Sequence, residues 1–256
     1  MDAPSFEGQT VLVTGGCRGV GRGIAERFGA AGANIAICCR NEPESLPGGW
    51  LFVEADVREA EQVDAVISQT VDRFGRLDVL VNNAGGAPPA DTATASPRFT
   101  TGVIALNLVA PIVCAQRANA VMQEQPNGGA IVNIASVSGV RASPESLAYG
   151  AAKAGLLNAT KTMAIEFAPK VRVNAVVVGL VRTEQAHLFY GDEDGIAAVG
   201  ATVPLGRMAD PGDVADVCVF LASPLARYVT GAEVLVHGGG ERPAYMSAAQ
   251  GTVRDR

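Results

Sequence analysis

The amino-acid sequence predicts an α/β fold, a doubly wound parallel sheet of about seven strands with helices on both faces. Short β-branched runs such as "TVLVTG" and "VRVNAVVV" alternate along the chain with longer stretches of helical periodicity. These short runs show little alternation of apolar and polar residues, which is typical of strands that are buried on both faces. Strands that are separated by crossover helices form a parallel sheet.

The same patterns predict the elements in chain order. We predict strands over 10–15, 33–38, 51–56, 77–83, 130–136, 171–178 and 232–239. We predict helices over 21–32, 59–75, 100–124, 147–168 and 210–223. No linker or repeat interrupts the series, so we expect a single domain over 1–256. The long polar connections 85–99 and 180–208 follow strands at their carboxyl ends, and we expect lids there, the second of them over the substrate.

Bulk composition indicates a globular protein with neither nucleic acid nor membrane as a partner. The 256 residues are 48% apolar, enough for a sizeable core, and the formal net charge is −6. Binding to nucleic acid or to an anionic membrane needs clustered Lys and Arg. The amino terminus lacks a basic stretch followed by an apolar one, and no apolar run looks long enough to span a bilayer. We therefore expect a cytoplasmic protein.

The 5 cysteines are odd in number, scattered and mostly set in apolar stretches, at positions 17, 38, 39, 114 and 218. We expect reduced core thiols rather than a disulfide framework. Cys38 and Cys39 would point to opposite sides of a strand, which argues against a zinc site. No metal is expected.

A glycine-rich turn, "TGGCRGVGRGIA", follows the first predicted strand. Gly15, Gly19 and Gly21 lie where a strand turns sharply into a helix, so the backbone and the free N–H groups of the helix can approach a pyrophosphate. The spacing differs from the common G-x-G-x-x-G, and glycines at such a turn also have a purely structural interpretation. The turn indicates a Rossmann-type dinucleotide site.

The end of the second strand, "AICCRNE", bears on the choice of dinucleotide. NAD binders place an acidic residue there for the ribose hydroxyls, whereas an arginine accommodates the 2′-phosphate of NADP. Cys39 stands where the acid would be and Arg40 follows it, while Arg18 lies in the glycine turn, so two guanidiniums could bracket a phosphate. We favour NADP(H). NAD(H) stays open, because Glu42 could be a displaced acid and the arginines could be solvated.

Tyr149 and Lys153, in "LAYGAAKAGLL", share one face of a predicted helix. A neighbouring cation stabilises a phenolate, so we expect Lys153 to lower the pKa of Tyr149 from about 10 toward neutrality. Ser136, at the end of the preceding strand, would lie beside them and hydrogen-bond a substrate oxygen. In the alternative, Tyr149 packs against the core while Lys153 reaches solvent.

Taken together, the motifs have the order and approximate spacing of a known family. The chain resembles the short-chain dehydrogenase/reductase family from about Gly8 to Gly239. The resemblance implies a homotetrameric or homodimeric oxidoreductase that binds nicotinamide across the carboxyl ends of its strands. The motifs that carry it are the glycine turn, "NNAG" at 82–85, Asn107, Ser136 and the Tyr149 and Lys153 pair.

The resemblance implies catalytic roles for four of these residues. Tyr149 would give a proton to the carbonyl oxygen in reduction and withdraw it in oxidation. Lys153 would tune Tyr149 and hold the nicotinamide ribose, and Ser136 would polarise the substrate carbonyl. Asn107 would hold a water in a proton relay through Lys153, or else bond to backbone within its helix.

The resemblance also implies cofactor contacts. Asp56 would meet the adenine amino group with Val57 beside the ring, and the "NNAG" segment would shape the ribose environment. Thr183 would contact the carboxamide, although Val178 replaces the usual proline before it and leaves the turn less rigid. The expected cofactor-binding residues are Gly15, Arg18, Gly19, Val20, Gly21, Arg40, Asp56, Val57, Asn83, Ala84, Gly85, Tyr149, Lys153 and Thr183.

The expected reaction is hydride transfer between NADP(H) and a small-molecule ketone or secondary alcohol. Acyl thioesters such as 3-oxoacyl groups, steroids and other cyclic ketones, and small secondary alcohols all stay open as substrates. The alternative is a non-catalytic dinucleotide-sensing protein on the same fold, which predicts loss of Ser136, Tyr149 or Lys153, and all three are present. A methyltransferase on a related fold would want an acidic residue at the end of the second strand.

Overall fold

A seven-stranded parallel sheet forms the centre of the protein in the computed structural model, which describes residues 4–241, 243 and 245. The two extremes of the predicted range 1–256 lie outside the described residues. The strands are Thr10–Thr14 (β1), Asn34–Cys39 (β2), Leu51–Glu54 (β3), Val79–Asn82 (β4), Gly129–Ser136 (β5), Val171–Val178 (β6) and Glu233–Val236 (β7). Their order across the sheet is β3-β2-β1-β4-β5-β6-β7. The predicted doubly wound α/β fold is confirmed.

Most helices connect one strand to the next as crossovers, and two further helices lie within the segment 180–208. They are Gly19–Ala30 (α1), Ala60–Phe74 (α2), Pro97–Ile104 (α3), Ala110–Glu124 (α4), Leu147–Glu166 (α5), His187–Tyr190 (α6), Glu193–Thr202 (α7) and Pro211–Ala222 (α8). The predicted helix over 100–124 is present as α3 and α4, which a π-helical turn at Ala105–Val109 joins without a break. Short α6 and α7 were not predicted.

Two hydrophobic layers cover the two faces of the sheet. On one face, residues of α2, α4 and α5 pack against strand side chains such as Leu12 and Leu80. On the other face, residues of α1 and α8 pack against Val11, Val13 and their neighbours. Because successive strand residues point to opposite faces, both sets of side chains must be apolar, which explains the lack of alternation in the strand sequences.

A row of buried polar side chains fixes α5 to the centre of the sheet. The Asn82 amide donates to the Asn133 side-chain oxygen at 2.9 Å, joining β4 to β5. Asn133 in turn donates to the Thr160 hydroxyl of α5, also at 2.9 Å. Buried hydrogen bonds of this kind define one position for the packed elements, because leaving one of them unmade costs about 1–3 kcal/mol. The row therefore fixes the helix that carries Tyr149 and Lys153.

The continuous helix Pro97–Glu124 corrects one sequence expectation. It is 28 residues long with a mean hydropathy of 1.6 in its apolar window, so by length and composition alone it could cross a membrane. In the folded chain its residues Cys114, Ala115 and Ala118 are buried in the hydrophobic layer under the sheet. The expectation that no apolar run is long enough was wrong, because a helix that packs on a sheet and on its neighbours is apolar on much of its surface.

Segment 180–208 folds over the carboxyl edge of the sheet with a small core of its own. Ala186, Ile196 and Met208 are buried together. A bridge between Val181 and Ala209 joins its two ends. These contacts give the expected lid a defined shape.

Candidate active site

A cleft of about 1110 Å³ opens at the carboxyl edge of the sheet. Its walls come from the glycine turn before α1, the ends of β2, β3 and β5, the "NNAG" segment after β4, the start of α5 and residues 183–185. Every predicted cofactor-binding residue lines this cleft, and so does Ser136. Asn107 is fully buried beside it. Open α/β sheets bind ligands at this edge.

Helix α5 and strand β5 bring Ser136, Tyr149 and Lys153 together. Ser136 lies close enough to the Tyr149 phenol to lower its pKa. The Lys153 ammonium lies 5.6 Å from the centroid of the Tyr149 ring, a cation–π distance. Lys153 is only 3% exposed and its Nζ donates to the Ile134 carbonyl at 2.8 Å. The alternative in which Lys153 reaches solvent is therefore wrong.

Burial sets the titration of this group. Desolvation raises the pKa of Tyr149 above its usual value, and the nearby Ser136 side chain lowers it in part. Desolvation lowers the pKa of Lys153 from 10.5 to about 8. The expected lowering of the Tyr149 pKa was wrong, because burial disfavours the phenolate and the Lys153 ammonium is bonded to a carbonyl rather than to the phenol oxygen. At neutral pH the pair is a phenol beside a cation.

Asn107 lies in the π-helical turn, where the helix widens next to the "NNAG" segment. Its Nδ2 donates to the carbonyls of Gly86 and Val103 at 3.0 and 2.9 Å, and its Oδ1 accepts from the Gly86 N–H at 2.8 Å. The side chain thus bonds to backbone, as the second interpretation of Asn107 expected. These bonds fix the loop at Gly86. The loop also packs closely on both side chains, because a Cβ added to Gly85 would lie 2.7 Å from Asn107 Oδ1 and 3.3 Å from Lys153 Nζ.

The glycine turn has the shape that a pyrophosphate needs. Gly15 and Gly19 have positive φ angles of 66° and 55°. A Cβ on Gly21 would lie 2.3 Å from the Gly15 carbonyl oxygen, so the helix start can approach the strand end only with glycine here. The first turn of α1 carries no acidic residue and lines the cleft, and a Cβ on Gly19 would lie 3.5 Å from the Thr183 side chain. These features fit a dinucleotide phosphate.

Asn83 supports the glycine turn directly. Its Nδ2 donates to the carbonyls of Thr14 and Gly15 at 3.0 and 3.2 Å. The Thr14 hydroxyl in turn accepts from the backbone N–H groups of Asn83 and Ala84, both at 3.0 Å. The "NNAG" segment therefore secures the turn that would hold the phosphates.

The part of the cleft at Asp56 contains one arginine that the sequence analysis missed. The Arg58 Nε donates to the Asp56 carboxylate at 2.9 Å, and this contact lowers the pKa of Asp56. Arg40 also acts on Asp56 through its charge. Among the described residues, neither Arg18 nor Arg40 forms a salt bridge, and both are exposed along the cleft. The only signal for Arg58 was its position just after the "DV" dipeptide.

The cysteines differ from expectation. Cys17 and Cys39 form a disulfide, whereas Cys38, Cys114 and Cys218 are free and buried. The expectation of reduced thiols was wrong for the first two because β1 and β2 pair in register, with Thr14 opposite Cys38, so the turn after β1 meets the end of β2. Sequence separation alone does not show this contact.

The chain is similar to known oxidoreductases over nearly its whole length. A family model described as enoyl-(acyl carrier protein) reductase matches residues 15–241. A 3β-hydroxysteroid dehydrogenase of Eggerthella lenta is 34% identical over 245 residues, covering 91% of this chain and 94% of its own. A 3-oxoacyl-acyl-carrier-protein reductase of Thermotoga maritima is 35% identical over 244 residues, covering 91% of this chain and 98% of its own.

A solved structure shows the same architecture. The ligand-free aldohexose dehydrogenase of Thermoplasma acidophilum superimposes with a TM-score of 0.86 at 31% identity, covering 91% of this chain and 94% of that one.

Proposed function

The chain belongs to the short-chain dehydrogenase/reductase family of nicotinamide-dependent oxidoreductases, and we propose that it reduces a ketone to a secondary alcohol with NADPH. The observation that carries the proposal is a single cleft that joins two sets of residues. At one end lie the glycine turn with Arg18 and Arg40, which form no salt bridge within the described part of the chain, and at the other lie Ser136, Tyr149 and Lys153.

The residues at the catalytic end bind and orient a carbonyl group. The nicotinamide ring supplies or accepts the hydride when it is bound. The Ser136 hydroxyl and the Tyr149 phenol both line the cleft, so both can donate to one carbonyl oxygen. Tyr149 then passes its proton to that oxygen. The Lys153 cation, 5.6 Å from the centre of the Tyr149 ring, offsets only part of the cost of the buried phenolate.

Burial raises the pKa of Tyr149, so the phenol keeps its proton at neutral pH, which is the form that a proton donor needs. We infer the reductive direction from the proposed cofactor, because NADPH is mostly used for reductions.

The choice of NADPH over NADH rests on charge at the end of β2. Cys39 occupies the position of the acid that NAD binders use, and Arg40 and Arg18 flank it. We expect Arg40→Ala to weaken NADPH binding by about 10- to 100-fold, the worth of a charge-assisted hydrogen bond, and NADH binding much less. Arg98→Ala, an exposed arginine of α3 outside the cleft, is the matched control. Equal losses for both cofactors in Arg40→Ala would contradict the assignment.

The lid favours an apolar substrate. Leu188 and Phe189 are exposed on α6, 66% and 60%, and Tyr190 packs behind them. On this segment the lining of the cleft ends at Gln185, so these side chains would meet a 3-oxoacyl group or a cyclic, steroid-type ketone only when the lid closes over the cleft. The similarity to a hydroxysteroid dehydrogenase and to a 3-oxoacyl reductase supports the same two classes.

Binding and turnover assays test the proposal in turn. Titration with NADPH, NADH and S-adenosylmethionine should show tightest binding of NADPH and none of S-adenosylmethionine. Loss of absorbance at the reduced nicotinamide band, followed over acyl, steroid, sugar and small aliphatic ketones, should then identify the substrate class. NADPH binding without turnover on any ketone would favour the non-catalytic, dinucleotide-sensing alternative.

We also propose that the protein is a homodimer or homotetramer. Apolar side chains are exposed next to the edge strand β7 and at the end of α8, among them Leu225, Tyr228 and Leu235. A monomer would leave this surface in water. The family resemblance supports the same assembly.

A further inference from the structure

A disulfide lines the cleft next to Arg18 and Arg40. Cys17 and Cys39 join the glycine turn to the end of β2 with their Cα atoms 6.3 Å apart. Both residues are half-buried and line the cleft, so the bond can be reached from solvent. The three free cysteines are buried, and burial raises the pKa of Cys38 to about 12, which makes that thiol unreactive.

Each half of the disulfide immediately precedes an arginine. Arg18 follows Cys17 and Arg40 follows Cys39 in the sequence. The covalent bond therefore restrains the two backbone segments from which both guanidiniums extend. Two cations that are held at a fixed spacing bind a phosphate more tightly than two that move independently, because less conformational entropy is lost on binding.

The turn has a second anchor that does not depend on the disulfide. The Gly15 N–H donates to the Cys38 carbonyl at 2.8 Å, and Asn83 holds the Thr14 and Gly15 carbonyls. The start of the turn thus stays in place when the disulfide is broken. The part that follows, with Cys17, then loses its covalent link to β2, and among residues 4–241 Arg18 is held only by its carbonyl, which accepts from the Arg22 N–H at 3.1 Å.

From this arrangement we propose that Cys17 and Cys39 are a redox modification site that controls the affinity of the cleft for the 2′-phosphate of NADP(H). The partner reagent is a dithiol reductant. One of its thiolates attacks a cysteine sulfur and forms a mixed disulfide, the other cysteine leaves as a thiolate and takes up a proton, and the second reductant thiol completes the exchange. Two electrons pass to the protein, the S–S bond becomes two thiols, and the dithiol becomes a disulfide.

This inference rests on the proposed function, since it concerns the phosphate that distinguishes NADP from NAD. It also fits the proposed cytoplasmic location. Disulfides in reducing compartments are mostly transient or redox-sensing rather than permanent staples. A permanent staple would instead be expected to affect both cofactors and the stability of the whole chain.

A binding experiment with fragments of the cofactor tests the site without turnover. The oxidised protein should show 3 titratable thiols in denaturant and the dithiol-treated protein all 5. Adenosine 2′,5′-bisphosphate should bind the oxidised form about tenfold more tightly, whereas 5′-AMP should bind both forms within about twofold. Cys17→Ser should bind like the reduced form under both conditions. Cys218→Ser, in the core of α8, should keep the redox response.

A reciprocal measurement gives a second readout. If oxidation favours the 2′-phosphate by some factor, saturating adenosine 2′,5′-bisphosphate must make the disulfide harder to reduce by the same factor in a dithiol redox buffer. Equal affinity of the two forms for the bisphosphate would overturn the inference, and so would 5 free thiols after treatment with an oxidant. The proposed function would survive both results. If neither form bound any dinucleotide, both proposals would fail.

Discussion

At the scale of single residues, the site depends on a buried cation beside a buried phenol. Lys153 has no carboxylate partner among the described residues and is stabilised by the Ile134 carbonyl and the ring of Tyr149. Burying an ammonium group without a counter-ion is costly, which is why its pKa falls to about 8. Lys153 therefore destabilises the folded protein, and it places a positive charge next to the proton donor.

This cost makes the contribution of Lys153 to stability depend on pH. Its pKa is lower in the folded chain than in the unfolded chain, so between about pH 8 and 10 the unfolded state binds more protons and stability rises with pH. We expect Lys153→Met to be more stable than the wild type at pH 7, with the gap narrowing toward pH 10. Urea unfolding of both proteins at several pH values measures this difference.

A control on the same helix tests whether the stability change comes from removing a buried charge or from removing any lysine. Lys161 is exposed on α5 and forms a surface salt bridge to Glu233 at 2.6 Å, so Lys161→Met should lower stability by at most about 1 kcal/mol and should not become more stable than the wild type at pH 7. A gap for Lys153→Met that stays constant or widens with rising pH would show that Lys153 is not a desolvated cation.

Sequence reasoning found these residues but not their titration. The spacing of Tyr149 and Lys153 in a helix places them on one face whatever the fold, so their proximity was predictable. The direction of the Tyr149 pKa was not, because it depends on how deeply the phenol is buried and on which acceptor Lys153 contacts. The Cys17 and Cys39 disulfide was missed for the same reason, since it depends on strand register.

At the scale of elements, the joint between β1 and α1 decides whether a dinucleotide can bind. Gly21 is on the first turn of α1 and faces the Gly15 carbonyl of the preceding turn. No side chain fits between them. Any residue other than glycine at 21 must move the start of the helix away from the strand and away from the phosphates.

We therefore expect Gly21→Ala to lose dinucleotide binding while the protein stays folded. Its Cβ would lie 2.3 Å from a backbone oxygen, which cannot move aside as a flexible side chain could. Titration with NADPH should show at least about a tenfold loss, since the pyrophosphate contacts are made by this turn. Circular dichroism checks that the fold is kept.

Gly102→Ala is the matched control. Gly102 is in α3, and a Cβ there meets no atom within 4 Å. Alanine should keep NADPH binding and stabilise the helix by about 0.5–1 kcal/mol. Unchanged binding in Gly21→Ala would mean that the phosphates do not rest on this turn.

The elements themselves were predictable to different degrees. Every predicted strand is present, within a few residues of its predicted bounds, because strands that are buried on both faces are continuous apolar runs. The short helices α6 and α7 were not predicted, since their residues pack on a small local core rather than on the sheet. The π-helical turn has no sequence signature in "ALNLV" and is apparent only from the contacts of Asn107.

At the scale of the whole molecule, the edge of the sheet at β7 bears on assembly. Tyr228 is fully exposed and Leu235 of the edge strand is 53% exposed. A partner subunit would bury them. Light scattering of the purified protein should give two or four times the chain mass of 26.2 kDa, and Tyr228→Ser with Leu235→Ser should lower that mass. A monomer at micromolar concentration would contradict the proposed assembly.

The molecule as a whole brings a dinucleotide cradle and a proton donor to opposite ends of one cleft. The central claim is that Tyr149 delivers the proton in a reduction that NADPH drives. The most direct measurement compares the wild type with Tyr149→Phe in NADPH titration and in turnover of the same ketone. We expect the variant to bind NADPH within about threefold of the wild type and to lose about 10²- to 10⁴-fold in kcat. Ketone reduction by Tyr149→Phe at the wild-type rate would contradict it.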